Sequence, residues 1–527
     1  MNKYLLHLCL GIGFYILTPK VNSQTKGAYI TGDFHQHTTY TDGSWSIEHL
    51  MKMNKSFGLD WWANSEHGGN SLYYGLISGK DKQTRVKWSA FDPKLMKGYA
   101  DSSKMWRWQT ILDYSFEDVQ RLRLHYPDKI IFQGLEWNVP GHEHASTCIL
   151  GNQYLTNPDL RNASDIAQFE YRFDRNDLDS TGGAEKGWVK SRSINDVKMF
   201  EALDWLNKNH PMTSWVIVAH PERKNLYTAA DFRRMNNAAP TVCFGFEGIP
   251  GHQKREDRGE FKTDALGGAT YGGCGYMTAK VGGVWDALLA EGRNWFVFAN
   301  SDFHDTDGDF WPGEYLKNYT WVTNPDNPVS IIDGLRSGNN YVVMGDLISE
   351  LSFTISSPES IVGNMGQTIN VSGKKLKINI KVHDPESPNH NKNEMENKPV
   401  LDHIDLIAGT ISGLIKPSDP GFTQDSTPNT KVIARFDATG MVKDANGLTS
   451  IKWKDLGNGW KEVSFEIKNM TTGMYFRLRG TNIKLNTPGE SDAYGNPLPD
   501  TALYPNNEDK AYRDLWFYSN PIFVKLK

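Results

Sequence analysis

Ala28-Tyr29-Ile30-Thr31-Gly32-Asp33-Phe34-His35-Gln36-His37 is a short apolar run that ends in two histidines. If the run is a strand, residues two apart point to the same side, so His35 and His37 offer both imidazoles to one place. Two imidazoles so placed can share one divalent cation. Alone the pair is weak, because core and surface histidines often fall at this spacing. Repetition gives it weight. Asp60–Asn64, Lys129–Leu135, Ala145–Leu150, Ser214–Ala219, Val242–Ile249 and Asn294–Ala299 are further apolar runs. Glu66-His67 follows the second run of the series, Glu136 the third and His220 the fifth. Glu247 lies within the sixth, and Asp302-Phe303-His304 follows the last.

Runs of this kind read as buried parallel strands. Ser46–Phe57, Ser193–Asn209 and Val284–Glu291 read as helices between them. Ser193 is the expected N-cap of the second helix, where Met199, Leu203 and Leu206 recur at helical spacing. Strands alternating with helices imply an α/β fold, and a barrel is its natural closure. In such a barrel the C-terminal strand ends share one face, so ionisable residues at successive ends would meet. After about Asp346 the texture changes to alternating strands at Leu351–Ile355, Leu376–Val382, His403–Ile407, Lys431–Phe436, Lys461–Ile467 and Met474–Arg479. Turn-rich stretches, notably Asp384–Asn397 and Pro417–Asn429, separate them. This pattern predicts a β-sandwich accessory domain over 346–527, packed against a barrel over 24–345.

Lys3, the apolar run Tyr4–Leu17 and the small residues of Val21-Asn22-Ser23 read as a cleavable secretory signal over 1–23. The run is shorter than the ~20 residues a bilayer needs. The expectation is therefore an exported protein, periplasmic or extracellular, with no transmembrane segment after signal removal. Of 4 cysteines, Cys9 leaves with the signal, and Cys148, Cys243 and Cys274 are expected as buried, inert thiols. A net charge of -5 and no basic stripe argue against a nucleic-acid partner. The 17 tryptophans suit core packing first and flat, sugar-like surfaces second.

The segment 32–43, Gly-Asp-Phe-His-Gln-His-Thr-Thr-Tyr-Thr-Asp-Gly, is followed in order by four others. These are Ser65-Glu66-His67, Gly134-Leu135-Glu136, Val218-Ala219-His220-Pro221 and Asn300-Ser301-Asp302-Phe303-His304. The ordered set resembles the polymerase and histidinol phosphatase (PHP) family of metallohydrolases across roughly Tyr29 to Asp346. Ile331–Gly345 resembles the helix and turn that close such domains, and Ala511–Ile522 resembles the end of larger exported members. Glu66 stands where the family more often has Asp, but the ligand carried over there is His67. The resemblance implies a distorted seven-stranded α/β barrel holding two or three divalent ions: zinc, manganese or iron. It implies that His35, His37, Glu136 and Asp302 hold one ion. Glu136, His144 and His220 would hold a second, and Asp42, His67 and His304 a third. His144 is preferred over His142 because it adjoins the run Ala145–Leu150, which leaves His142 to touch substrate.

Clustered cations lower the pKa of bound water toward ~7. The implied activity is a phosphoesterase, in which a metal-bridging hydroxide attacks a small-molecule or glycan-type phosphomonoester or phosphodiester. His304 and His252 are candidate acids for the leaving group, Arg223 is a candidate phosphate clamp, and Glu247 and His252 are expected at the mouth. The same centre would also suit hydrolysis of a carbamate, amide or carboxylic ester. A non-catalytic binding protein is a third reading, disfavoured by the complete ligand set. The amidohydrolase barrel also opens with two spaced histidines, but Thr41-Asp42-Gly43 and the closing Asp302-x-His304 favour the PHP reading.

Overall fold

The computed structural model describes residues 27–74, 86–88, 104–224, 226–255, 257–261, 266–385, 398–500 and 512–527. All seven apolar runs form strands: β1 (Ala28–Asp33), β2 (Trp61–Asn64), β3 (Ile130–Asn138), β4 (His144–Ile149), β5 (Ser214–Val218), β6 (Cys243–Ile249) and β7 (Phe296–Ala299). Every residue of β2, β5, β6 and β7 is buried, which is why these strands read as unbroken apolar runs. They lie side by side in the order β7-β6-β5-β4-β3-β2-β1.

The expectation of uniformly parallel strands fails at β4, which runs antiparallel to both β3 and β5. Only five residues separate β3 from β4. A parallel crossover needs a dozen or more, so a link this short forces a hairpin. The remaining neighbours, β1–β2, β2–β3, β5–β6 and β6–β7, are parallel.

One side chain from each strand meets in a single apolar cluster: Ile30, Trp61, Phe132, Cys148, Trp215, Phe244 and Phe298. Trp215 lies at its middle, 5.4 Å from the Phe132 ring and 5.9 Å from that of Phe34. The two ends of the row approach each other beyond β1 and β7. Gln36 and Phe303 form a parallel bridge, the His37 amide donates to the Phe303 carbonyl at 2.9 Å, and the Phe34 amide donates to Asn300 Oδ1 at 3.0 Å.

The helices α1 (Ile47–Ser56), α2 (Asn195–Asn209) and α3 (Val284–Leu289) fall within the expected spans. Ser46 caps α1 by accepting from the His49 amide. Ser193 does not cap α2. Its hydroxyl donates to Glu201, and the capping position passes to Ile194, whose side chain makes no cap bond. β8 (Leu316–Val322), α4 (Pro328–Ser337) and β9 (Asn340–Met344) follow. Gly338 ends α4 with a left-handed φ of 71°.

The C-terminal region is rich in sheet, and all six expected runs form strands. β1 pairs antiparallel with β8, and β8 with β9. The row then continues through Trp516–Ser519, Met474–Thr481, His403–Thr410 and Lys431–Asp437. A separate five-stranded sheet carries Glu350–Ser356 and Leu376–His383 at its centre. A strict division at 345/346 is therefore bridged by backbone pairing, with Tyr341 opposite Ser519 and Val343 opposite Phe517.

Buried ion pairs add to the join. Arg477 meets both Asp286 oxygens at 2.8 and 2.7 Å, and the fully buried Arg258 reaches Asp514, Asp500, Gln253 and the Tyr315 hydroxyl. The three described cysteines are buried and free. Among the described residues no helix is long and apolar enough to cross a membrane. The expected signal over 1–23 lies outside the described residues.

Candidate metal centre

The backbone gathers the histidines and carboxylates at one end of the strand row. His35 and His37 follow β1, and their rings stand 5.3 Å apart. His67 follows β2 and bridges to Glu136 on β3 through the backbone. His144 opens β4, His220 follows β5, and Asp302 and His304 follow β7. His220, His252 and Asp302 hold left-handed backbones, with φ of 29°, 58° and 44°. Non-glycine residues avoid that region unless the surroundings compel it, and such outliers concentrate at functional sites.

Glu136 is the hub and is fully buried. Its Oε1 lies 3.2 Å from His35 Nε2, 2.7 Å from His144 Nδ1 and 3.1 Å from His220 Nε2. Its Oε2 lies 3.2 Å from His37 Nε2 and 2.8 Å from His67 Nδ1. Asp302 Oδ1 stands opposite, 3.2 Å from His35 Nε2 and 3.3 Å from His37 Nε2. Half-exposed Asp42 gathers a second group, 3.3 Å from His37 Nδ1, 3.2 Å from His67 Nε2 and 3.4 Å from His304 Nε2.

These spacings test whether the residues fit a cation. Ligands about 2.05 Å from a shared tetrahedral centre stand about 3.3 Å apart. His35, His37, Glu136 and Asp302 show separations of 3.2–3.3 Å. Moreover, His35 Nε2, both nitrogens of His37, His67 Nδ1, His144 Nδ1, Glu136 Oε2 and Asp302 Oδ1 are buried and lack hydrogen-bond partners among the described residues. Buried polar atoms are rarely left so, and these face one another. Among the described residues five groups could each hold an ion: His35/His37/Glu136/Asp302, His37/Asp42/His67/His304 and His67/Glu136/His144 around Glu136 and Asp42, with His252/His304/Asp309 and His142/Asp196/Asp231 besides. His220 adjoins the third of these through Glu136. His37 and His67 each take part in two groups, a sharing the sequence did not reveal.

The electrostatics are strongly coupled. Burial works against charge on Glu136, but the His144, His67 and His35 imidazoles prevail and hold its carboxyl well below the usual range. Burial likewise opposes charge on His67, yet Glu136 and Asp42 push it up to about 10. His220 goes the other way, because burial and the Arg223 cation both depress it. Protons and a divalent cation compete for the same imidazole lone pairs, so a cation bound here would release protons.

Two expected substrate contacts lie elsewhere. Glu247 sits beneath the cluster rather than at its mouth. Its Oε1 accepts from His35 Nδ1 at 2.8 Å, Ser146 Oγ at 3.1 Å and Asn300 Nδ2 at 3.0 Å. That is an orienting role, fixing the His35 tautomer so that Nε2 faces the centre. His142 lies in the turn before β4, buried but directed away from the cluster. Its Nδ1 meets the Leu226 carbonyl at 2.7 Å, and its Nε2 lies 3.2 Å from Asp196.

Arg223 is buried against the centre, with Nη1 2.9 Å from Asp302 Oδ2 and Nη2 without a partner among the described residues. His252 Nε2 stands 3.2 Å from Asp302 Oδ2, and its Nδ1 contacts Asp309. Sequence reasoning missed Asp309, which also accepts from the His304 amide at 2.6 Å. A carboxylate in a Gly-Asp-Phe stretch with no apolar run before it carries no signal. Glu66 binds the Thr38 amide at 3.0 Å and so holds the loop of the first motif, without being a ligand.

Gly68 is required by close approach. A Cβ there would lie 1.9 Å from Asp174 Oδ2, a carboxylate fixed by the Asn138 amide. Gly68→Ala is expected to displace His67, lower stability by about 1–3 kcal/mol and reduce bound metal. Urea unfolding and elemental analysis check this, and unchanged values for both would refute it.

No family model matches the chain, and no curated protein matches it. Among solved structures it is similar to a two-domain protein from Bacteroides vulgatus containing a predicted PHP-like metal-dependent phosphoesterase. That likeness has 11% identity, spans 89% of this chain and 93% of the other, and has a TM-score of 0.34. At that level it carries no argument about this chain.

Proposed function

We propose that this chain is an exported metal-dependent phosphoesterase of the PHP type. In this reading the seven strands β1–β7 form a distorted barrel over 24–345, followed by a β-sandwich region over 346–527. The observation that carries the reading is Glu136, whose two oxygens are surrounded by five histidines with Asp302 opposite. His35, His37, Glu136 and Asp302 would hold one divalent ion. Asp42, His67 and His304 would hold another, and His144 and His220 would serve a third with Glu136. The nitrogen-rich set suits zinc, manganese or iron. Bound cations of this kind acidify water and neutralise developing charge on a phosphoryl group.

The chain's own residues supply the rest. Arg223, fixed by Asp302, has an Nη2 donor with no partner among the described residues, which it would offer to a phosphoryl oxygen. His252, fixed by Asp309, is placed to hold a proton for the leaving oxygen. A fixed guanidinium with a spare donor beside a ligand carboxylate favours a phosphoester over an uncharged amide or carboxylic ester. The substrate is a small-molecule or glycan-type phosphate.

The test is elemental analysis of purified protein with assays on p-nitrophenyl phosphate, bis(p-nitrophenyl) phosphate and p-nitrophenyl acetate. Chelation is expected to abolish phosphate-ester hydrolysis, and zinc, manganese or iron to restore it. Protein that binds no metal, or a metal-loaded form acting on the acetate alone, would overturn the phosphoesterase reading.

A further inference from the structure

A second site lies at the other end of β1. A cavity of 870 Å³ opens between the face of β1, β8 and β9 and the separate five-stranded sheet. Tyr29 is the second residue of β1 and His35 follows its end, so six residues of extended chain, about 20 Å, separate the two sites.

The floor of the cavity is an aromatic platform. Tyr29 on β1 pairs with Trp321 on β8, and Tyr319 on β8 pairs with Tyr341 on β9. The alternation of a strand places all four rings on one face. The Tyr319 and Tyr341 rings stack at 4.7 Å, while Trp321 stands edge-on to Tyr29 at 5.2 Å. Tyr29, Tyr319 and Trp321 are only half-buried, although ten tryptophans elsewhere are wholly buried. Trp460, half-buried under the Lys381 ammonium at 4.3 Å, stands on the opposite wall.

The rim is polar and electrically balanced. Glu350 and Lys381 line it with one charge of each sign, and the amides of Asn339, Asn364 and Gln367 add donors and acceptors. Tyr29 Oη donates to Asn339 Oδ1 at 2.6 Å, which fixes that amide's orientation. Aromatic rings below, amides around and two opposite charges that cancel match a ligand with an apolar face and a hydroxylated edge. A pyranose has both. A peptide strand would need an open sheet edge, whereas this platform is a face between paired strands. An anionic ligand would need surplus positive charge.

We propose that this cleft binds an uncharged oligosaccharide, holding sugar rings against Trp321 and Tyr319 with their hydroxyls on the amide rim. The site is independent of the metal centre, and its test does not depend on the hydrolytic reading.

The full chain is titrated with cellohexaose, xylohexaose, mannohexaose and maltohexaose, followed by calorimetry and tryptophan fluorescence, with and without chelator. At least one sugar is expected to bind saturably with Kd below about 1 mM, with or without chelator. Trp321→Ala and, on the opposite wall, Trp460→Ala are each expected to weaken binding roughly tenfold while leaving bound metal unchanged. Trp460→Ala keeps the test valid if Trp321→Ala fails to fold. No binding by any of the four sugars overturns the proposal. Binding that both folded variants retain in full also overturns it.

Discussion

Glu136→Gln is expected to empty the centre of metal and to lower phosphate-ester hydrolysis by at least about a thousandfold. The carboxylate touches His35, His37, His67, His144 and His220 through its two oxygens. The amide keeps the shape but loses the charge, and its NH₂ turns a donor toward imidazoles that must themselves stay neutral to bind a cation. Metal content by elemental analysis and activity on p-nitrophenyl phosphate give the answer. A variant that keeps both full metal and activity within tenfold of the parent would rule out the hub.

Asp514→Ala is expected to cost about 3–5 kcal/mol of stability, because it strips a buried guanidinium of its main counter-charge. Arg258 is fully buried and bonds Asp514, Tyr315 Oη at 2.8 Å and Gln253 Oε1 at 3.0 Å. Asp500, 3.3 Å from Nη1, is poorly placed to take over, since its Oδ2 already accepts from the Gly273 amide and Thr270. The same segment, 250–260, carries His252, so loss of the pair should also lower activity before unfolding. Urea denaturation checks the first effect. A loss under about 1 kcal/mol would show that the cluster does not brace the segment.

The strand row was legible because four of its strands are wholly buried and the others nearly so or in part, so they read as apolar runs with ionisable residues at or near their ends. The orientation of β4 was legible in principle, since five residues cannot make a crossover, but the apolar run itself carries no direction. His142 and His144 looked alike because a two-residue spacing implies a shared face only within a strand. His142 lies in the turn before β4, where that alternation does not apply. Glu247 was placed at the mouth because it sits near the end of its run. The strand's alternation instead points it inward, behind His35. Asp309 and the partners of Arg258 were invisible for a different reason. Asp309 meets His252, and Arg258 meets Tyr315, Asp500 and Asp514, across tens to hundreds of residues, through contacts that no local pattern encodes.

The pairing of Trp516–Ser519 with β9 has a consequence for the order in which the molecule can be made. Tyr341 must wait for Ser519, about 180 residues later in synthesis. Until the last strands emerge, β9 has only β8 at its side, and its other edge presents open backbone donors and acceptors to any stray strand. A nascent chain that stops before that point carries the histidine and carboxylate cluster but not the strand that seals the sheet behind it. The half that gathers the histidines and carboxylates is thus committed late, by strands that follow it, and a chain held unfolded until those strands are made avoids that exposed interval.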